Sequence, residues 1–298
     1  MTTLDLTQLP PPRLVEEIDL ESLIALLKTD LVRLAPADIR ASLEATLALE
    51  SEPVTMLVEL AAYREMLIRQ RINEAASSTL LAYAAGADLD HRAADYGLNR
   101  QLIRPADPEA NPPLEAEWET DDRLRQRCLL AIAGSSAAGP VDAYRSATMN
   151  ASPFVASVDV DTPVPGQVRV WLLDTRNDGV ADAALCDTVA AALNAETVRP
   201  LCDRVSVLPS QPRPFEIVAR IVYQTGGELA SGGLDGARQR LDAMLKKRRT
   251  IRGSVPLSAI DAALHVEGVD RVEILSPAAS VVCGVGEFPH CTRVEFAP

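Results

Sequence analysis

Hydrophobic residues in the first third of the chain recur at three- and four-residue spacing, the period of a helix with one covered face. From Asp19 onward Leu20, Leu23, Ile24, Leu27 and Leu31 form one such stripe, and a stripe of this kind must be covered by something. Pro36 ends it. Asp38 is placed to cap a second helix running through Leu49, and Ser51 and Pro53 to open a third that reaches about Ala76. In the third helix Leu57, Leu60 and Leu67 mark the expected buried side, and Arg64, Glu65, Arg69 and Arg71 the polar side. Glycine suits a helix C-terminus, so one helix is expected to end near Gly86 and another near Gly97. A further helix from about Thr120 to Ala133 is capped by Thr120, with Asp121 and Asp122 in its first turn. Pro10 to Pro12 read as an extended lead-in. Pro105 to Pro113, carrying Pro105, Pro108, Pro112 and Pro113 without periodicity, reads as a loop or hinge. Gly134 to Ser136 and Gly139-Pro140 close this half.

Beyond Val155 the period shortens to two. Strands are expected at Val155 to Val160 and Val168 to Leu173, joined by a hairpin loop over Thr162 to Gly166. More follow at Arg204 to Leu208, Phe215 to Tyr223 and Val272 to Leu275. Helices fall between them at Asp182 to Asn194, with Leu185, Val189, Ala192 and Leu193 inward, at Leu234 to Arg248 and at Leu257 to Leu264. The fold class is therefore α+β: a helical N-terminal half followed by two small α/β, mixed-sheet subdomains. The expected boundaries are 1–134, 135–212 and 213–298. A helix followed by a V-x-x-V-x-V strand occurs at Ala143 to Val160 and again at Ser258 to Ile274, which raises a duplication as one explanation of the second half.

Composition narrows the function classes. A chain of 298 residues is long enough for two or three domains with real cores. Its formal net charge of -13 disfavours a nucleic-acid or anionic-membrane partner, since both bind through Lys and Arg. The opening MTTLDLTQLPPP has no basic start and no apolar core, so no secretion signal is read, and no apolar run approaches a membrane span. The protein is thus expected to be made in a cytoplasm. Cys128, Cys186, Cys202, Cys283 and Cys291 are odd in number and irregular in spacing, which argues against a disulfide framework.

Few residues suggest chemistry. Asp88, Asp90 and His91 could ligate a metal, but two carboxylates two apart at a helix start do not face one another, and capping with dipole complementation accounts for them. Cys283, His290 and Cys291 are the one Cys/His cluster; they lack the short paired spacing and fourth ligand of a zinc site, and a closing loop with buried thiols is the simpler reading. Gly284-Val285-Gly286 leads to Pro289 rather than a helix, so a phosphate loop is not supported. The run Lys246-Lys247-Arg248-Arg249, with Arg252, reads as a helix end complementing the dipole, with contact to an acidic partner surface left open. No nucleophile elbow or HExxH occurs. No catalytic residue, metal or cofactor is assigned. A metal-dependent hydrolase and a tail-associated binding module are the alternative readings. The second is weakened by an aromatic content of 4%, too low for a sugar platform.

Several blocks in register carry a family resemblance: ATLALESEPVTMLVELAAYRE, YREMLIRQRINEAASSTLLAYAAGADLDHRAADYGLNR, AGSSAAGPVDAYRSATMNASPFVASVDV, PGQVRVWLL, VRPLCDRVSVLP and GVDRVEILSP. In this order they resemble the baseplate J-like family of contractile phage tails and headless tail-like bacteriocins, over nearly the whole chain. The resemblance implies a structural protein of the baseplate wedge. Two copies would join a smaller wedge partner through N-terminal helices, and six wedges would ring the central hub and spike. C-terminal modules would join neighbouring copies, and a lysozyme-related wedge protein would link the ring to the sheath. Rearrangement of the ring on host contact would trigger contraction, and the particle would assemble in the bacterial host cytoplasm. On this reading the partner-binding residues are Leu20, Leu23, Ile24, Leu27, Leu31, Arg64, Arg69, Arg71 and Glu74. The hinge is the proline segment.

Overall fold

The computed structural model describes residues 16–134, 141–195, 198–200 and 202–297. The lead-in at Pro10 to Pro12 and the break over Ser135 to Pro140 lie outside them. The chain divides into two compact units, residues 1–99 and 100–298.

The first unit is helical. Helix α1 (Leu20–Leu34) starts where Asp19 accepts the Ser22 amide at 2.9 Å and its hydroxyl at 2.5 Å. It ends before Pro36 as expected. Helix α2 spans Arg40–Leu47, ending two residues earlier than read, and Ile39 rather than Asp38 occupies its cap. Helix α3 (Pro53–Ser78) has Pro53 at its first turn; Glu52, not Ser51, precedes it, with no side-chain cap. The alanine-rich stretch after Thr79 forms turns rather than a helix ending at Gly86. Gly86 instead opens α4 (Gly86–Ala94), and Gly97, at φ 69°, lies in the turn that ends it. A glycine can serve either end of a helix, and alanine propensity alone does not sustain so short a segment.

The second unit begins with a hairpin of β1 (Leu102–Arg104) and β2 (Glu117–Trp118), followed by α5 (Asp121–Gly134) and α6 (Val141–Ala151). The proline segment is the loop of this hairpin. It is stitched by Asp107 and Leu114, whose amides and carbonyls bond mutually at 2.8 and 2.9 Å. Strands β3 (Val155–Val164), β4 (Gln167–Asp174) and β5 (Arg204–Pro209) form the first mixed sheet: β4 is central, antiparallel to β3 and parallel to β5. The β3–β4 strands run longer than read, because Val164 pairs with Gln167 and the turn shrinks to Pro165-Gly166. Helix α7 (Ala183–Leu193), capped by Asp182, supplies the crossover, since parallel neighbours need one. Helices α6 and α7 pack on the sheet, and Met149, Val155, Val170, Leu172, Leu185, Val189 and Leu193 close the core between them.

Ser210, fully buried, is the only residue between β5 and β6 (Gln211–Tyr223). Strand β6 is the centre of a second mixed sheet. It lies parallel to β10 (Glu287–Phe296) and antiparallel to β8 (Val269–Ser276). Between β6 and β8 come α8 (Gly227–Ser231), α9 (Gly233–Arg248), β7 (Ser254–Val255) and α10 (Leu257–Leu264); β9 (Val281–Val282) pairs with β7. Phe215, Ile217 and Ala219 alternate inward from β6 and meet Leu241, Ile260 and Leu264. The closing loop expected around Cys283 to Cys291 is largely strand β10. A proline at 289 and a polar composition hid it, and pairing to the long β6 forms it.

The two sheets share a third small cluster. Leu173 and Trp171 leave the far face of β4 and meet Ile251 and Phe288. Gly286, at φ 71°, lies so close to the Trp171 ring that a Cβ there would sit 2.5 Å from it. Arg252 donates to Asp159 at 2.5 Å across the same boundary. Strand β4 is therefore covered on both faces.

Candidate interaction surfaces

The first unit buries little. Among its described residues the buried apolar side chains are Leu23, Leu47, Val58, Ala62, Ala84, Leu89, Ala93 and Leu98. On α3 the buried positions are Thr55, Val58 and Ala62. Leu57, Leu60 and Leu67, expected inside, are 65%, 56% and 37% exposed. The physical reason lies in the approach of α1, which packs on α3. Small residues at Thr55 and Ala62 admit a neighbouring helix, and the larger side chains then turn outward. Met56, Tyr63, Ile68 and Ile72, which sequence reading passed over, join them in an exposed apolar face along the same helix. The available signal was that α3 carries large apolar residues on most of its circumference, more than one neighbour can cover.

The residues singled out in the sequence divide accordingly. Leu23 is buried, and Leu20, Ile24, Leu27 and Leu31 are half-buried, on a helix that packs against α3 and α2 of its own chain. Arg69 bonds Glu65 at 2.7 Å and Glu16 at 2.9 Å, hydrogen bonds that raise its pKa, in that order. Asn73 exchanges two hydrogen bonds with the Glu16 backbone, so this part of α3 pins the segment entering α1. Arg71 and Glu74 pair at 3.2 Å on the surface. Arg64 is exposed. Pro105, Pro108, Pro112 and Pro113 are exposed on the hairpin loop inside the second unit. The structure thus brings Arg69, Arg71 and Glu74 onto one helix with the exposed apolar face and keeps the proline segment in the other unit.

A polar joint was not legible at all. Glu119 is 1% exposed and follows β2. Its carboxylate pairs with Arg127 and, at 3.2 Å, with Arg123, and accepts the Gln101 amide at 2.9 Å. Arg127 also donates to Asn150, and Arg123 to the carbonyls of Ser152 and Val155. Arg100 bonds the Glu119 carbonyl and Asp121. Burial lowers the Arg123 pKa, opposed by the Glu119 charge. Hairpin, α5 and the entry to β3 are thereby tied at one point. In sequence these residues resemble an ordinary charged stretch, and only folding makes them interior.

Of the C-terminal Cys/His residues, His290 and Cys291 lie on β10 and Cys283 directly follows β9. Burial raises the pKa of both Cys283 and Cys291, which keeps them as thiols rather than the thiolates that metals and substrates require. Among the described residues no group of three His, Cys, Asp or Glu is placed to hold a metal ion. The described cysteines are all free, and no described helix is long and apolar enough to cross a membrane. Asp88 lies in the first turn of α4, whose N-cap makes no side-chain hydrogen bond, so it complements the dipole without capping.

Three family models match the chain in sequence order: the Baseplate J-like N-terminal domain over residues 50–107, the Baseplate J-like central domain over 136–209, and the Baseplate J-like protein C-terminal domain over 216–297. Baseplate protein J of Escherichia phage P2 is 41% identical over 293 residues, covering 98% of this chain and 97% of its own length. The chain belongs to the baseplate J-like family. Within this family frame the three matched segments have structural counterparts. The N-terminal match holds α3, α4 and the start of the β1–β2 hairpin. The central match holds the first mixed sheet and its helices, and the C-terminal match the second sheet from β6 to β10.

Proposed function

We propose that this baseplate J-like protein is a structural component of the baseplate wedge of a contractile tail or tail-like particle, without a catalytic role. Family membership supports the structural role in a tail baseplate; the exposed apolar face of α3 is the observation that carries the rest. Seven large apolar side chains from Met56 to Ile72 stand half or more open to water or close to it on one helix. Such a face marks a protein contact. Covering each would contribute on the order of 1 kcal/mol, about half the value of full burial. The occupants we propose are the α3 helix of a second copy and a small wedge partner, packed as a helical bundle. The residues of α1, Leu20 to Leu31, would brace α3 from behind, and Arg64, Arg69, Arg71 and Glu74 would set its register.

The finer reading follows from that bundle. Wedges would ring the central hub and spike, with a sheath-linking wedge protein outside them, and would rearrange to trigger sheath contraction. The functional blocks would be 1–134, 135–212 and 213–298, and the hairpin bearing Pro105, Pro108, Pro112 and Pro113 would be the deflecting element. A disulfide that locks this hairpin should leave assembly intact and block contraction; normal contraction of the locked particle would remove it from the mechanism. The wedge itself is tested by light-scattering mass of the chain with and without the small wedge partner. Two copies to one partner supports the reading, and a chain that stays monomeric in the partner's presence rejects it.

A further inference from the structure

Among the described residues most arginines pair with a carboxylate, whereas the end of α9 gathers four consecutive cations that do not. Arginines 33, 69, 71, 92, 100, 104, 123, 125, 127, 145, 169, 176, 213, 220, 252, 271 and 293 each lie within ion-pair distance of a carboxylate. Lys246, Lys247, Arg248 and Arg249 make no ion pair among the described residues. Among the described residues Arg248 reaches only the Ser254 carbonyl, and Arg240, about two turns earlier on the helix, only the carbonyls of Ala263 and Ser231. The helix dipole acts on cations in the last turn, and Arg240 lies beyond its reach.

Three of these cations, Arg240, Lys247 and Arg248, border a concavity of about 790 Å³ between α9 and α10. Its floor is apolar and made of small side chains, Ala259 and Ala263 beside Met244. Its rim carries Arg240, Lys247 and Arg248, and no carboxylate lines it. Asp242 and Asp261 belong to the same two helices and stay outside the lining. The shape asks for a large apolar side chain flanked by carboxylates.

The chain carries such a group itself. On the β1–β2 hairpin Trp118 is 51% exposed and stands opposite Leu102, which is 41% exposed. Glu115, just before the strand, and Glu117 on it are exposed, Glu117 facing Arg104 at 3.4 Å across the hairpin surface. An exposed tryptophan is a costly surface residue and a common anchor of protein contacts. We propose that the groove between α9 and α10 receives the Trp118 hairpin of a second copy, with the indole on the alanine floor and Glu115 and Glu117 against Lys247 and Arg248. Groove and hairpin are different surfaces, so the contact is head-to-tail. It repeats from copy to copy and closes a ring or extends a filament. It thereby deepens the baseplate proposal by naming one surface through which copies meet, and it is distinct from the α3 bundle.

The test uses the full chain in sedimentation velocity over a range of concentration and salt. The wild type is expected to self-associate, more weakly as salt rises. Lys247→Glu/Arg248→Glu and, separately, Glu115→Lys/Glu117→Lys are each expected to weaken association by about tenfold or more, as reversal of close charge pairs across an interface does. Mixing the two variants restores it, because each keeps one native surface. Circular dichroism confirms folding, and Lys247→Glu alone replaces the double groove variant if that one unfolds. A wild type that stays monomeric, variants that associate like the wild type, or a mixture that stays apart each overturns the contact. Partner binding through α3 is read separately, so either proposal can fail while the other stands.

Discussion

The two units of the chain solve the burial problem in opposite ways. Residues 100–298 close two cores, each with a three-stranded mixed sheet under helices, and then cover the outer face of β4 by packing one sheet's loops on the other. Residues 1–99 place long helices side by side and leave large apolar side chains of α3 in water. A unit that satisfies itself can serve as a rigid body. A unit that does not is completed by something else. Partner surfaces are therefore to be sought not at the most hydrophobic segment, but at the segment whose tertiary neighbours are too few for its apolar surface.

The largest effect is expected at the most interior point of the second unit. Glu119→Ala strips the buried carboxylate from Arg123 and Arg127, and should destabilise the second unit by about 3–5 kcal/mol, the usual consequence of leaving buried charges unpaired. Urea unfolding followed by Trp118 and Trp171 fluorescence reads it; a change of under about 1 kcal/mol would mean the arginines find water instead. Gly286→Ala comes next. Its new Cβ meets the Trp171 ring and its φ is positive, so a loss of about 1–3 kcal/mol is expected. The same assay checks it, and the sheet-to-sheet cluster is less tight than described if the variant matches the wild type.

Surface changes on α3 should behave differently. Leu57→Ser with Ile68→Ser alters exposed positions, so the lone chain should keep its thermal midpoint, within about 0.5 kcal/mol per site. Copurification with the small wedge partner should be lost. Strong destabilisation of the lone chain would show that this face is already covered at home. The smallest effect concerns acid. Hydrogen bonding to Arg169 first, and then to the Trp171 indole, holds the Asp161 pKa below the usual carboxylate range, against the effect of burial. A depressed folded-state pKa contributes stability that is fully present above the unfolded-state value near 4 and is lost as pH falls through the folded value. Asp161→Asn should therefore flatten the dependence of the unfolding midpoint on pH below about 4. An unchanged acid limb would assign that dependence to other carboxylates.

The two mixed sheets also answer the repeat noticed in the sequence. In both, a helix precedes the strand antiparallel to the centre: α6 before β3, α10 before β8. In both, the central strand is followed by a helix, and the parallel edge strand comes last. The order of the first two pieces is exchanged, however. The first subdomain runs helix–edge, centre–helix, edge, and the second runs centre–helix, helix–edge, edge. A plain tandem duplication preserves order, so the echo reflects shared local architecture with different connectivity.

Local pattern was enough for much of this protein. The period of two in Val155 to Val160 and Phe215 to Tyr223, the stripe on α1 and the helix starts near Asp19 and Asp182 are short-range facts, and the chain alone determined them. The α+β class and the family blocks followed from the same residues. Which face of α3 lies inside, whether Gly86 closes a helix or opens one, that Glu287 to Phe296 is a strand, and that Glu119 with Arg123 and Arg127 is interior were decided by tertiary structure. Each depends on a neighbour distant in the sequence: α1 for α3, β6 for β10, and the hairpin and α6 for the buried charges. Periodicity reports how a residue is placed on its own element, and burial depends on what that element meets.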